Sequence, residues 1–151
     1  MSVSTSATID ASQIRRIALM PSGGVLADAI GIELLNFGFD IVDTATVTSI
    51  LARYNLNEFE IGQPQNIKLL ADQGIDSLLI TKSVAGYDGR PESASVRLIS
   101  TATGSLLIGS TWQNGRGGAQ GSPADGMMRS NLSEAATEIA AGIGENLRRV
   151  R

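Results

Sequence analysis

The spacing of apolar residues changes several times along the chain, and each change marks an element. Ile17, Ala18, Leu19 and Met20 form a short apolar run within residues 16–20, ended by Pro21, which reads as a buried strand. Ser22-Gly23-Gly24 supplies a turn, and Leu26, Ile30, Leu34 and Phe37 then recur at helical spacing until Gly38 offers a stop. Residues 39–43 read as a second strand centred on Ile41 and Val42. Thr44 or Thr46 is placed to cap the next helix, on which Val47, Ile50, Leu51 and Tyr54 line one face. Residues 55–63 read as a polar loop carrying Leu56, Phe59 and Ile61. Pro64 then marks a helix start, and Ile67, Leu70 and Ala71 form a buried stripe that Gly74 ends.

From Ser77 the period shortens. Leu78, Leu79 and Ile80 begin a strand that extends through Val84 to Tyr87, and Asp88-Gly89 with Pro91 signals a turn. Strands at 94–100 and 105–113 meet across the Thr103-Gly104 corner, as a hairpin requires. Three successive strands without a helix between them imply antiparallel pairing, so the sheet is mixed. Residues 114–126, with Gly115, Gly117, Gly118, Gly121 and Gly126, lose both periodicity and side-chain volume and are expected to form a mobile loop. Leu132, Ala136, Ile139, Ala140, Ile143 and Leu147 trace the last helix, with Glu134, Glu138 and Glu145 on its other side. Its acidic start and the arginines Arg148, Arg149 and Arg151 at its end agree with the helix dipole. The pattern predicts one α/β domain over residues 15–151. Its mixed sheet of about five strands, in the order β-α-β-α-α-β-β-β-α, is flanked by helices. Residues 1–14, rich in Ser, Thr and Ala, read as a disordered leader or the remnant of a trimmed segment.

Composition narrows the chemistry more than the fold. Twelve basic against fifteen acidic residues leave a net charge of -3, which offers no general attraction to nucleic acid or an anionic membrane. The absence of cysteine and histidine removes thiolate, imidazole and disulfide chemistry, and with them most zinc and copper sites. No window approaches the ~20 apolar residues of a membrane-spanning helix.

The glycine-rich turns are the places to look for a phosphate. Gly115-Arg116-Gly117 is followed by Gly118, Ala119 and Gln120 rather than by the last glycine of a dinucleotide fingerprint, and Arg116 and Arg129 are its nearby cations. Ser22-Gly23-Gly24 joins a strand to a helix but has no lysine or arginine to complete an anion site, so it reads as a tight structural turn. No serine stands in a G-x-S-x-G elbow or at a motif spacing from Lys68 or Lys82. Asp40, Asp43, Asp72 and Asp76 are spaced like caps and turns. The reading is therefore noncatalytic, with no cofactor-binding and no metal site. Residues suited to protein contact remain: Phe59 and Ile61 in the polar loop, Tyr87 by a turn, Trp112 and Gln113 before the glycine loop, Arg116 within it, and Met127 and Met128 beyond it. The alternative for Trp112 and Met128 is that they seal the edge of the core.

Four stretches in order resemble the CsgG/LpoB-like family of bacterial envelope proteins. Arg15-Arg16-Ile17-Ala18-Leu19-Met20-Pro21 resembles its opening strand, and Gly38-Phe39-Asp40-Ile41-Val42-Asp43 its second. The segment from Gly74-Ile75-Asp76 through Lys82-Ser83-Val84 resembles its glycine-aspartate strand, with Lys82 where glycine is commoner. Val96-Arg97-Leu98-Ile99-Ser100 through Thr103-Gly104-Ser105-Leu106-Leu107 resembles its hairpin. The resemblance covers about residues 15 to 113. It implies an exported, noncatalytic protein of the periplasm or the periplasmic face of the outer membrane, which activates a peptidoglycan synthase or helps to assemble a secretion channel. The chain has no cysteine for lipid attachment, so an anchor or signal segment would have to precede Met1 or have been removed, failing which the protein would be cytoplasmic. It also lacks the long alternating hairpins of a pore. An accessory or assembly domain that binds an envelope protein is what these features leave, with self-association open. The rival is a small-molecule or nucleotide-binding domain built on the two glycine-rich turns.

Overall fold

The computed structural model describes residues 2–5, 14–86, 89–114 and 131–149, with the backbone alone described at 2–5 and 148–149. Strand β2 (Arg16–Leu19) pairs in parallel with β3 (Asp40–Val42) on one side and with β4 (Ser77–Ala85) on the other. Ile17, Ala18 and Leu19 are 0–1% exposed, so the apolar run predicted as a buried strand is covered on both faces. Asp76 secures its start, where one carboxylate oxygen accepts the amides of Arg15 and Arg16 at 3.0 and 2.8 Å.

After β4 the chain turns back twice. β5 (Pro91–Ser100) and β6 (Leu106–Gln113) each run antiparallel to the strand before. At the β5–β6 corner Gly104 takes a φ of 77°, and its amide bonds Ser100 O at 2.8 Å. The buried Thr101 hydroxyl reaches Ile75 O at 2.5 Å, tying this corner to the entry of β4. All five expected strands are present, in a mixed sheet of the predicted kind. A sixth stands where the leader was expected: β1 (Ser2–Thr5) lies antiparallel to β6, and the strand order is β1-β6-β5-β4-β2-β3. Ser2–Thr5 carries almost no apolar signal. Its partners are the backbone groups along the free edge of β6, which a side-chain pattern does not report.

A single 3-10 turn (Pro21–Gly23) leads into α1 (Gly24–Leu35), which lies with the last helix, α5 (Leu132–Arg149), on one face of the sheet. There Leu26, Ile30, Leu34, Ala136, Ile139 and Ile143 pack on Ile17, Leu19, Leu79, Leu98 and Ile108. The helices α2 (Thr44–Arg53), α3 (Glu58–Ile61) and α4 (Pro64–Asp72) cover the other face, where Val47, Ile50, Ile61, Ile67 and Leu70 meet Ala18, Met20, Leu78 and Ile99. Each buried aliphatic side chain contributes about 1.5–3 kcal/mol, so these two layers are the main source of stability.

Two local expectations need correction. The cap of α2 is Asp43, which has extended backbone angles and accepts the Thr46 amide at 2.8 Å; Thr44 is already helical and donates its hydroxyl to Asp28 at 3.1 Å. The stretch read as polar loop contains α3, whose single turn is too short for helical periodicity to show.

Just beyond the end of α1 the Phe37 ring lies against Gly144 of α5. A Cβ at Gly144 would stand 2.6–2.8 Å from three ring atoms. Glycine to alanine inside a helix ordinarily stabilises by about 0.5–1 kcal/mol. Here Gly144→Ala should instead lose about 1 kcal/mol or more in urea unfolding, because the ring must be displaced from a packed site. In a Phe37→Ala background the same change should become stabilising. A stabilising Gly144→Ala in the native sequence would show that the ring does not set the helix spacing.

Candidate functional site

Helices cover the two faces of the sheet unequally. On the α2–α4 side, alternate residues of β4, β5 and β6 form rows across the strands: Ile80, Arg97 and Gly109; Lys82, Ser95 and Thr111; Val84, Ser93 and Gln113. Lys82, Val84, Arg97, Thr111 and Gln113 are exposed. The reason is topological. Between the start of β4 and the end of β6 no helix intervenes to lie over this surface, and α5 packs on the opposite face.

Lys82 and Arg97 are diagonal neighbours on adjacent strands, each facing a neutral residue, Ser95 and Ile80 respectively. No carboxylate among the described residues pairs with either. At their edge of the face, α3 forms the wall of a cleft of about 450 Å³, lined by Met20, Ile80, Ile99 and Phe59 together with the two cations.

Phe59 is held outward by its neighbours. Asn57 and Glu60 close a capping box, side chain to amide at 2.8 and 3.0 Å, and Asn66 donates to Glu60 O at 2.8 Å. Ile61 is wholly buried and anchors the turn, whereas Phe59 is 78% exposed. Glu58 reaches across to accept the Ser22 amide at 2.6 Å. That bond places a carboxylate at the Ser22-Gly23-Gly24 turn, where a phosphate-binding reading would need an anion from outside. At Gly23 a Cβ would lie 2.5 Å from that of Ala27 and 3.1 Å from that of Thr81, so close packing accounts for the glycine.

The contact residues expected from sequence thus divide. Gln113 lies on the open face, and Phe59 lines the cleft at its edge. Ile61 does neither, because it is core. Trp112 points to the other face, 2% exposed, with its indole N–H donated to Glu138 of α5 at 2.9 Å. Tyr87, Arg116, Met127 and Met128, with most of the glycine loop, lie outside the described residues. Lys82 and Arg97 were not singled out as contact residues from sequence. Their signal is the alternation of Ile80, Lys82 and Val84, and of Ser93, Ser95 and Arg97, in strands that are otherwise core.

A second cleft, of about 440 Å³, runs between α1, β3 and the start of α2, lined by Ile32, Leu35, Ile41, Asp28 and Asp43 among others. Both carboxylates serve the fold, Asp28 by accepting from Thr44 and Asp43 as a cap. Hydrogen bonds from Thr46, first its hydroxyl and then its amide, hold the Asp43 carboxyl below its ordinary pKa of 3.8. Among the described residues no group of three or more acidic side chains could hold a metal ion, and no helix is long and apolar enough to cross a membrane.

No protein-family model matches the sequence, and no curated protein matches it. Among solved structures the fold is similar to that of the lipoprotein GNA1162 from Neisseria meningitidis, at 17% identity and a TM-score of 0.54, covering 90% of this chain and 99% of that one. It is also similar to the LpoB C-terminal domain from Salmonella enterica, at 13% identity and a TM-score of 0.50, covering 71% of this chain and 85% of that one. At these identities the likeness is one of fold.

The site yields two expectations. Phe59→Ala should leave unfolding free energy within about 0.5 kcal/mol, as exposed substitutions do, while Ile61→Ala, two residues on, should cost about 2–5 kcal/mol. Equal losses in urea titrations would mean that Phe59 is packed. For Asp43, a folded pKa below the unfolded one makes its contribution complete above about pH 4 and lost as pH falls through the folded value. Asp43→Asn keeps a capping oxygen without the charge. Its melting temperature should therefore gain on that of the native protein as pH is lowered below about 4, and parallel curves would remove the charge from the cap.

Proposed function

We propose that this chain is a noncatalytic protein-binding domain of the cell envelope, an accessory or assembly factor that acts in the periplasm or at the periplasmic face of the outer membrane. The observation that carries the reading is the fold shared with a bacterial lipoprotein, over 90% of this chain and 99% of that one. The chemistry available supports it. The sequence has neither cysteine nor histidine, and the carboxylates of Asp43, Glu58 and Asp76 serve as caps and clamps. The open face is of the kind that protein contact uses, since it combines an exposed aromatic side chain, an arginine and small hydroxyl side chains on a rigid sheet. Phe59 and Gln113 are its contact residues from the sequence reading, with Arg116, Tyr87, Met127 and Met128 proposed to extend it. Trp112 would act by holding the edge of the sheet. The partner is a protein of the envelope, either a different chain or a further copy of this one.

The test combines location with contact. In the native host the epitope-tagged protein should be released with the periplasm or sediment with the outer membrane, and a photo-crosslinking residue at Thr111 should give a discrete adduct with one envelope protein. A cytosolic location, or absence of any adduct from Thr111 and Gln113 alike, would overturn the reading.

A further inference from the structure

We propose that the cleft between α3 and the open sheet face receives an extended acidic segment of a protein partner. A carboxylate of that segment meets Lys82 and Arg97 together, and an adjacent apolar side chain packs against Phe59. This rests on the protein-binding reading above and adds the chemistry of the partner.

Charge complementarity carries the assignment. The chain is acidic overall, yet two cations stand as diagonal neighbours on this face with no described carboxylate to neutralise them. The one acidic side chain among those lining the cleft, Glu58, accepts the Ser22 amide and forms no ion pair with either cation. An arginine fork beside a lysine suits a carboxylate that can be bound through both oxygens. The floor is apolar, with Met20, Ile80 and Ile99, and the wall is an aromatic ring 78% exposed. Burying that ring on a partner would recover the hydrophobic free energy that its exposure forfeits. The capping box and Ile61 already hold the turn that presents it, so little order remains to be imposed on binding. A nucleic acid would need a longer run of cations than this pair in an acidic chain.

The probe is an immobilised array of twelve-residue peptides that place Asp or Glu next to Leu or Phe, each with a counterpart in which Lys replaces every acid. The labelled full chain should bind the acidic members at least tenfold more strongly than their counterparts, with a preference that shrinks as salt is raised. K82E/R97E should reverse the preference, and F59A should weaken acidic binding about tenfold while keeping its sign. If K82E/R97E does not melt like the native protein, K82Q/R97Q serves instead and should abolish the preference. No preference in the native chain, or an equal preference in the charge variants, overturns the assignment. An in-cell adduct at Thr111 that persists in such a case removes the cleft and leaves the protein-binding reading standing. Absence of any adduct from Thr111 and Gln113 alike in the native protein removes the protein-binding reading on separate grounds.

Discussion

A strand whose last three residues, Ile17, Ala18 and Leu19, are buried on both faces sets the constraint that the other elements satisfy. The amides and carbonyls of β2 cannot reach water, so strands must lie on either side of it, and β3 and β4 do so in parallel. Parallel strands need crossover connections, and helices form them here: α1 between β2 and β3, and α2 to α4 between β3 and β4. The side chains of β2 point alternately to both faces, which commits α1 to the Ile17 and Leu19 side and α2 to α4 to the Ala18 and Met20 side. The two Asp76 hydrogen bonds at the start of β2 align the strand with β4, since one carboxylate satisfies two adjacent amides.

The open face is the other consequence of that arrangement. Helices enter this fold as connections between parallel strands, and the antiparallel strands β4, β5 and β6 are joined by short turns that bring none. α5 supplies one further helix, and its apolar stripe goes to the side where Trp112 and Ile108 need cover. Among the described residues, one half of the sheet is therefore sheltered on both faces and the other chiefly on one. Apart from Val84 the exposed residues are polar or charged, as an antiparallel face in contact with water requires. The outward phenyl ring of Phe59 is the feature that solvation does not explain.

Periodicity carried most of this architecture in the sequence itself. Continuous apolar runs marked β2 and the first half of β4, helical spacing marked α1, α2, α4 and α5, and the Thr103-Gly104 corner marked the hairpin, because each depends on residues close in the chain. Where the signal was local but short, it was missed. α3 is one turn long, and its evidence is the Asn57 and Glu60 pair rather than an apolar stripe. β1 has no side-chain signal at all, since its pairing depends on an edge created by β6.

The sequence by itself determined which residues alternate and which chemistry is available. Gln113 must point away from Trp112, and no histidine or cysteine can take part in any site. Only the tertiary structure decided which side of each alternation is covered, because that depends on where helices distant in sequence come to rest. It also brought Lys82 and Arg97 together, through the antiparallel register that sets Lys82 opposite Ser95 and Ile80 opposite Arg97. Proximity across strands is a property of pairing, and pairing follows from burying the whole sheet rather than from any single segment of it.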